Sequence, residues 1–500
     1  MTLSPSTPVI VGVAQQGHRL TDPADSVEPA QLMIDLTRAA ADDAGSADLL
    51  RRIDAVAVVD GAWKYPDPGR IVAEAVGSPE ATTIQSYGGG NTPQSFVNSL
   101  AARIQAGEFE VAVLTGAETI WSRRRRKSLG LDKNTPLLDA ALAQSTDAEP
   151  DERFAGDIPM SSDFELRRGM EAPINYYPVF ESAIRHANGE SIDDHRTRVA
   201  GLWARFNAVA ANNPEAWSPD PMTAEQIREA TPDNRMVGFP YTKAMNSNWD
   251  LDQGTSIILC SVAAAEAAAV PRDRWVFPLA GTDGHDTYAV SERRDLHSSP
   301  AIAACGRGLR ELTGIDPADA DHVDLYSCFP SAVQIGATEL GLGLDRDLTV
   351  TGGLPFAGGP LNNYVSHSIV TMVQRLRAHP GDLGLVTANG GYTTKHAAGY
   401  YSTEPRDGGF VSADMQAEID TVPPRPVAED HVGPATIEGY TVMHDREGPS
   451  VALAALLTSD GARTWGSSKD PAVMSELMAS EGIGRTVTLD PDGVFVLASD

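Results

Sequence analysis

Apolar and polar positions follow one another along the chain in a pattern that predicts repeated αβ units. In residues 86–119 three glycines end at Asn91, an N-cap residue, and a proline follows in the first helical turn. Apolar residues then recur at helical spacing as far as Gly107, and residues 111–114 form a short buried strand. The N-terminus of this helix offers unpaired N–H groups to an oxyanion in the glycine loop. An ordinary structural αβ unit shows the same pattern, so both interpretations stay open.

The same unit occurs a second time. Residues 9–14 form a continuous apolar strand, typical of a parallel sheet that is buried on both faces. Far along the chain, in residues 351–391, a glycine-rich loop, helix, turn and strand recur at a constant offset, which aligns Ile104 with Leu376. This internal repeat predicts two similar αβ halves, with both helix N-termini facing one shared cleft.

The segments outside these units differ in character. A polar, proline-containing insertion with one long helix separates the halves, and no strand pattern in it is long enough to extend the first sheet. A segment of linker composition follows the second half, and the last stretch predicts short strands with hairpin turns, typical of a small OB-like β-barrel. The predicted boundaries are 1–120 with 249–267 for the first half, 121–248 for the covering insertion, 268–403 for the second half, 404–433 for the linker and 434–500 for the barrel.

Net charge and composition argue against several classes of partner and cofactor. A net charge of −29 argues against nucleic acid as a partner, because phosphate binding needs a basic face. The one basic run, residues 123–127, is either a solvated surface or a contact for a phosphate-bearing ligand. Three cysteines make neither a disulfide framework nor a metal-ligand spacing, so we expect no metal and no cofactor. Neither a signal peptide nor a membrane span is predicted, which indicates a cytoplasmic protein.

Several segments resemble the thiolase superfamily. NSLAARIQAGEFEVAVLTGAET resembles the helix and strand that follow the thiolase nucleophile, and WDLDQGTSIILCSVAAAEAAAVP resembles the segment that opens the second half. AGGPL and TANGG resemble the histidine-bearing and cysteine-bearing loops, and SCFP is similar to the HDCF loop of sterol-carrier-type thiolases. The resemblance covers about residues 7–402. It implies an α/β fold: a duplicated thiolase-like αβαβα core with a covering insertion, to which the small C-terminal β-barrel is added, as in thiolase-like proteins.

The reactive residues of that family are missing here. In the family, a cysteine at the start of the first-half helix is acylated, a histidine activates it, and a second cysteine is the acid/base. By the resemblance these positions fall at Gly90, at Gly359 and at Ala388 or Asn389. Without the nucleophile no thioester intermediate forms, so ordinary thiolase activity is not expected.

Three other side chains are catalytic candidates. Cys328 follows a strand, His396 lies just beyond the second glycine turn, and His367 lies in the first turns of the second-half helix. For each, a buried or backbone-bonded structural role is the alternative. Convergence in an open cleft would favour catalysis, whereas burial in separate places would favour a protein without catalysis.

Other residues are candidates for binding the ligand. Those at the two helix mouths either donate to an oxyanion or cap the helices, and those in the basic run meet a phosphate. These candidates are Asn362, Asn363, Gly90, Asn91, Arg123 and Arg124.

The resemblance leaves two functional hypotheses. The first is an enzyme of lipid metabolism that acts on acyl-CoA thioesters by acyl transfer or by retro-aldol cleavage, which needs no acyl-cysteine. The second is a protein that binds acyl-CoA, or serves as a scaffold, without catalysis. CoA or an acyl-CoA is the expected ligand, and either a homodimer or a complex with another acyl-CoA enzyme is the expected assembly.

Overall fold

The structure, a computed structural model, describes residues 3–17, 22, 27–130 and 148–498. Residues 131–147 of the predicted insertion therefore lie outside the described residues. The first half holds β1 (Pro8–Gln16), α1 (Pro29–Asp43), β2 (Ala55–Val58), α2 (Pro68–Val76), β3 (Thr82–Ser86), α3 (Thr92–Gln105) and β4 (Val111–Thr119). The insertion holds α4 (Ile120–Ser128), β5 (Glu152–Phe154), α5 (Asp163–Arg167), α6 (Pro173–Ala187), α7 (Ile192–Ala210), α8 (Ala224–Arg228), β6 (Met236–Gly238) and β7 (Tyr241–Thr242).

The rest of the chain adds the second half and a C-terminal sheet. The second half follows β8 (Asp252–Ser261) and α9 (Val262–Ala267), and holds β9 (Phe277–His285), α10 (Pro300–Thr313), β10 (His322–Asp324), α11 (Pro330–Glu339), α12 (Tyr364–Ala378), β11 (Gly384–Gly390), β12 (Lys395–Ser402), β13 (Val411–Asp414) and α13 (Gln416–Ile419). The C-terminal elements are β14 (Gly433–His444), β15 (Pro449–Leu457), β16 (Arg463–Ser468), α14 (Pro471–Ala479), β17 (Thr486–Leu489) and β18 (Phe495–Leu497).

Five layers make up the two halves. The first sheet has the order β1-β8-β4-β2-β3-β5, and the second has the order β10-β11-β12-β9-β13. Between the sheets lie α3 and α12, which contact strands of both, while α1 and α2 cover the first sheet and α10 covers the second. The two central helices begin at Thr92 and Tyr364, so the predicted repeat places their first residues at equivalent positions.

Strand direction departs from the prediction. β1 was expected in a parallel sheet, but it pairs antiparallel with β8, which in turn pairs antiparallel with β4. Only β2, β3, β4 and β5 pair in parallel within this sheet. A continuous apolar run indicates that both faces of a strand are covered, here by α1 and by the central helices. It carries no information about the direction of the strand.

Two further predictions about segments are wrong. The insertion does extend the first sheet, because β5 pairs in parallel with β3 at its edge; three residues are too few for a pattern to predict. Within the predicted linker, residues 411–414 form β13, which pairs in parallel with β9 of the second sheet. In the described part of the chain no helix is long and apolar enough to cross a membrane.

The C-terminal strands form a curved antiparallel sheet of order β16-β15-β14-β17-β18. Its two ends meet, since Ser467 and Val494 form a bridge and the amide of Ser467 donates to the carbonyl of Gly493 at 2.9 Å. α6 of the insertion packs between this sheet and α11. Trp465 of β16 is fully buried within the main core and donates to the Ser291 hydroxyl at 2.8 Å. The C-terminal sheet is therefore joined to the second half by buried contacts.

Candidate functional site

The glycine loop at the start of α3 is the centre of the candidate site. Gly89 is held from both sides: the Thr92 hydroxyl donates to its carbonyl at 2.8 Å, and its own amide donates to the Asn362 side chain at 2.9 Å. Because Asn362 lies two residues before α12, the N-termini of the two central helices lie side by side. The predicted convergence of the helix mouths is present here.

Gly90 has no room for a side chain. A Cβ atom at this position would lie 2.5 Å from the Tyr326 hydroxyl oxygen and 2.5 Å from the Asn389 carbonyl oxygen. Carbon and oxygen that are not bonded keep about 3.3 Å or more apart, so a cysteine would need its surroundings to move. This phenol and this carbonyl, both from the second half, therefore fill the space that a side chain at position 90 would need.

Asn91 and Asn363 lie where capping residues were expected but do not cap. The Asn91 side chain makes no capping bond; its Nδ2 donates weakly to Ser95 at 3.4 Å. Asn363 donates to the Gly116 carbonyl at 2.9 Å and to the Thr255 hydroxyl at 3.0 Å, which ties α12 to the first sheet. Asn362 likewise donates to the Asp60 carbonyl at 2.9 Å. Both residues of the second helix mouth join the two halves rather than cap a helix.

Cys328 is close to the glycine loop but is not an activated thiol. Its residue is 8% exposed, and burial raises the pKa of its thiol to about 12, even though the hydroxyl of Tyr177 lies beside it. That hydroxyl also accepts from Asn389 Nδ2 at 3.3 Å and donates to the Gly391 carbonyl at 3.2 Å. The thiolate is the reactive form of cysteine, so this thiol is inert at neutral pH.

His396 faces a different environment. It is 4% exposed, and its Nε2 lies 3.7 Å from a carboxylate oxygen of Asp286 and 3.5 Å from the Ser299 hydroxyl. Asp286 accepts from the amide of Ala301 in the first turn of α10, so this group stabilises a helix start. His396 and Asn389 both line a small cavity of about 30 Å³, which is large enough for water.

His367 lies on α12, in a third environment. Its Nδ1 lies 2.9 Å from Gln15 Oε1, and within the described part of the chain its buried Nε2 has no hydrogen-bond partner. Burial lowers the pKa of this imidazole to about 3, so it is neutral at physiological pH. Among the described residues no hydrogen bond joins any two of Cys328, His367 and His396. The three predicted catalytic residues are buried in separate places.

Sequence reasoning missed the charged residues that surround the glycine loop. Lys395 donates to the Gly88 carbonyl at 2.9 Å, and burial lowers the pKa of its amine. Asp60 follows β2 and Glu118 lies near the end of β4, and burial raises the pKa of both carboxyls, that of Glu118 to about 7. The positions of Asp60 and Glu118 could have revealed them, because polar residues at the carboxyl ends of parallel strands line a shared crevice.

The two predicted phosphate-binding arginines lie on α4. Arg123 donates to the Ala62 carbonyl at 3.3 Å, and the exposed Arg124 pairs with Asp250 at 2.9 Å. Next to that aspartate, Trp249 exposes 53% of its surface. A cationic helix beside an exposed indole suits a ligand that carries both phosphate and a flat ring.

Comparison with known proteins assigns the family. The crystal structure of a monomeric SCP2-thiolase like protein type 1 (STLP1) from Mycobacterium smegmatis is 30% identical, with a TM-score of 0.84, and the match covers 99% of this chain and 100% of that one. This chain belongs to the SCP2-thiolase-like type 1 family. The model of the thiolase-like protein type 1 additional C-terminal domain matches residues 414–494, beginning within the segment predicted as linker. The predicted thiolase resemblance and the fold class are both confirmed.

Two further comparisons find more distant similarity. An acetyl-CoA acetyltransferase of Methanothermobacter thermautotrophicus is 27% identical over 271 residues, which is 50% of this chain and 64% of that protein, so the chain spans less than two thirds of it. The Ltp2-ChsH2(DUF35) aldolase is 19% identical with a TM-score of 0.56, and the match covers 80% of this chain and 98% of that one. At this identity the aldolase shows a shared fold alone.

Proposed function

We propose that this protein binds CoA thioesters in the cleft between its two halves and holds them without an acyl-enzyme intermediate. The observation that carries the proposal is at Gly90, where the resemblance places the family's nucleophile: no side chain is present, and the Tyr326 hydroxyl and the Asn389 carbonyl occupy the space that one would need. Burial raises the pKa of the Cys328 thiol to about 12. No thiolate is therefore offered to a bound thioester at neutral pH.

The surroundings of the cleft support a CoA ligand. The N-termini of α3 and α12 meet at the Asn362–Gly89 hydrogen bond, and their dipoles favour an oxyanion or thioester carbonyl there. Arg123 and Arg124 supply positive charge on a chain whose net charge of −29 would otherwise repel phosphate. Related acetyltransferases, which by name use acetyl-CoA, make this ligand class the natural one.

A second candidate, retro-aldol cleavage of a 3-hydroxyacyl-CoA, has its own observation. Lys395 Nζ and the Tyr326 hydroxyl approach two consecutive glycines, at 3.1 Å and 2.5 Å from the Cβ positions of Gly89 and Gly90. Burial lowers the pKa of the amine, which favours the neutral form that a base needs, and raises the pKa of the phenol, which therefore keeps its proton at neutral pH. The amine would take the hydroxyl proton, the Cα–Cβ bond would break, and the enolate would receive its proton from the phenol.

Calorimetry with CoA, acetyl-CoA and a longer acyl-CoA tests the binding proposal. We expect measurable heat, an affinity that weakens with salt, and no acyl-sized mass increase of the intact protein. Arg124→Ala should weaken CoA binding about fivefold, which is roughly 1 kcal/mol, whereas Arg310→Ala should not, although Arg310 forms a similar exposed pair with Asp316. An absence of heat and of thermal shift at millimolar ligand would refute binding, and a covalent adduct would refute the noncovalent mode.

The same samples separate the two candidates. If 3-hydroxyacyl-CoA is cleaved, the products appear by mass spectrometry, and Tyr326→Phe should abolish cleavage while leaving the CoA affinity unchanged. Cleavage that persists in Tyr326→Phe would remove this phenol from the mechanism. If the wild-type protein binds 3-hydroxyacyl-CoA without cleaving it, retro-aldol cleavage is excluded and binding without catalysis is the remaining candidate.

We further propose a monomer in place of the expected homodimer. β5 covers β3, which would otherwise be an open edge strand of the first sheet, and open edges are where strands of a second chain add. The related STLP1 is described as monomeric. Light scattering after gel filtration measures the mass, and a stable dimer would contradict this assignment.

A further inference from the structure

A cluster of two histidines and one aspartate lies at the far end of α12, away from the cleft. His322 opens β10, His379 directly follows the last residue of α12, and Asp382 lies in the turn before β11. One potential ligand atom of each residue lies within 4.8 Å of the corresponding atoms of the other two. The fold thus brings together three metal-ligand side chains that are far apart or irregularly spaced along the chain.

A backbone hydrogen bond orients His379 in the way a metal ligand is oriented. His379 Nδ1 lies 3.0 Å from the carbonyl of Arg375, so Nδ1 carries the proton and Nε2 keeps its lone pair for a cation. His322 Nε2 already lies 2.9 Å from an oxygen of Asp382. Backbone bonds hold the frame, because the amide of Asp382 donates to the His379 carbonyl at 3.2 Å.

The electrostatic setting favours a cation at this point. The negative end of the macrodipole of the fifteen-residue helix α12 points at His379. Arg377, in the last turn of that helix, is turned away, since it pairs with Asp43 at 2.7 Å and donates to the Val11 carbonyl at 3.0 Å. Arg375 is the basic side chain that remains nearby. The whole chain adds an attractive field through its net charge of −29.

We propose that His322, His379 and Asp382 form a binding site for a divalent transition metal, with Zn²⁺ as the preferred ion. Two imidazole nitrogens and one carboxylate oxygen are a donor set that selects zinc, cobalt or nickel over magnesium and calcium. Three protein ligands leave at least one coordination position for water or for an anionic ligand. His379 also lines a surface groove of about 630 Å³ between α12 and the end of α7, so the open position borders a space large enough for a small molecule.

Calorimetric titration of the full-length, untagged, chelator-treated protein with ZnCl₂ tests this site. We expect one ion per chain with a dissociation constant in the micromolar range or tighter, and a Co²⁺ complex with visible d–d absorption. His379→Ala and Asp382→Asn should each weaken Zn²⁺ binding at least about tenfold and abolish the cobalt spectrum. His297→Ala is the matched control and should leave both unchanged, because His297 forms a similar exposed pair with Asp295 but belongs to no group of three potential metal ligands among the described residues.

The variants keep the test decisive. His379 is exposed at a helix end, so its replacement leaves the core intact, and circular dichroism verifies the fold. If the wild-type protein binds zinc no tighter than His379→Ala, or if His297→Ala loses binding instead, the assignment is wrong. The site does not depend on the CoA-binding proposal, and zinc binding is measured without any CoA ligand.

Discussion

Replacing Gly90 with alanine is expected to destabilise the protein by about 1–2 kcal/mol, although alanine restricts the unfolded chain more than glycine does. The added methyl group would lie 2.5 Å from the Tyr326 hydroxyl oxygen and equally close to the Asn389 carbonyl oxygen. The first contact involves a side chain, but the second involves the backbone of β11, where Asn389 pairs with His396 of β12. The Asn389 carbonyl therefore cannot rotate away from the added methyl group.

The magnitude follows from two opposing effects. Overpacking a close-packed site by one methyl group costs about 1–3 kcal/mol. Replacing glycine by alanine returns about 0.4–1 kcal/mol, because the unfolded chain loses conformational freedom, and Gly90 does not need a positive φ angle. At Gly88, two residues earlier in the same loop, the nearest atom to the new Cβ is Asn362 Nδ2 at 3.8 Å. Gly88→Ala therefore keeps the gain without the clash and is the matched control.

A double-mutant cycle separates the two contacts. Tyr326→Phe removes the hydroxyl oxygen and leaves the ring, whose nearest carbon lies 3.1 Å from the Cβ position at Gly90. In the Gly90→Ala background this second change should recover about 0.5–1 kcal/mol, and the carbonyl contact should account for the rest. Urea unfolding, followed by circular dichroism and by tryptophan fluorescence, measures the four free energies. The interpretation fails if Gly90→Ala is as stable as Gly88→Ala, or if the cycle shows no coupling.

Two further predictions concern buried charge. Burial raises the pKa of Glu118 from 4.5 to about 7, so the unfolded state loses this proton at lower pH than the folded state does. The free energy of unfolding should therefore fall by on the order of 3 kcal/mol as the pH rises from about 4.5 to 7. Glu118→Gln, which keeps an acceptor for the Ala62 amide, should remove that decline in pH-dependent urea unfolding, whereas the exposed Glu110→Gln should retain it. Arg463 is fully buried and its guanidinium bonds to Glu438 at 2.7 Å and to the Arg293 carbonyl at 2.6 Å, so Arg463→Ala should cost about 3–5 kcal/mol. Arg485→Ala, at a more exposed pair with Glu476, should cost under about 1 kcal/mol, and equal losses in the two variants would contradict a role of Arg463 in joining the C-terminal sheet to the second half.

Local patterns predicted the elements of this chain well because helical and strand periodicity are properties of neighbouring residues. The repeat aligned Thr92 with Tyr364, and the two central helices begin at these residues. The absence of a side chain at Gly90 could also be read from the sequence, since it is a property of the residue itself, and the loss of thiolase chemistry inferred from it stays a prediction. The wrong predictions, β1 in a parallel sheet and residues 411–414 in a linker, concern pairing partners. A strand's partner and direction depend on the path of distant segments.

What only the tertiary structure decided is how distant residues meet. The sequence by itself determined the αβ units and their duplication, because both depend on residue identity and short-range spacing. The contact of Tyr326 with Gly90, the hydrogen bond from Gly89 to Asn362, and the separate burial of Cys328, His367 and His396 arise across hundreds of residues. The cluster of His322, His379 and Asp382 has the same origin. Such contacts are set by how the two sheets and the central helices pack, since packing, and not local propensity, fixes which side chains share a space.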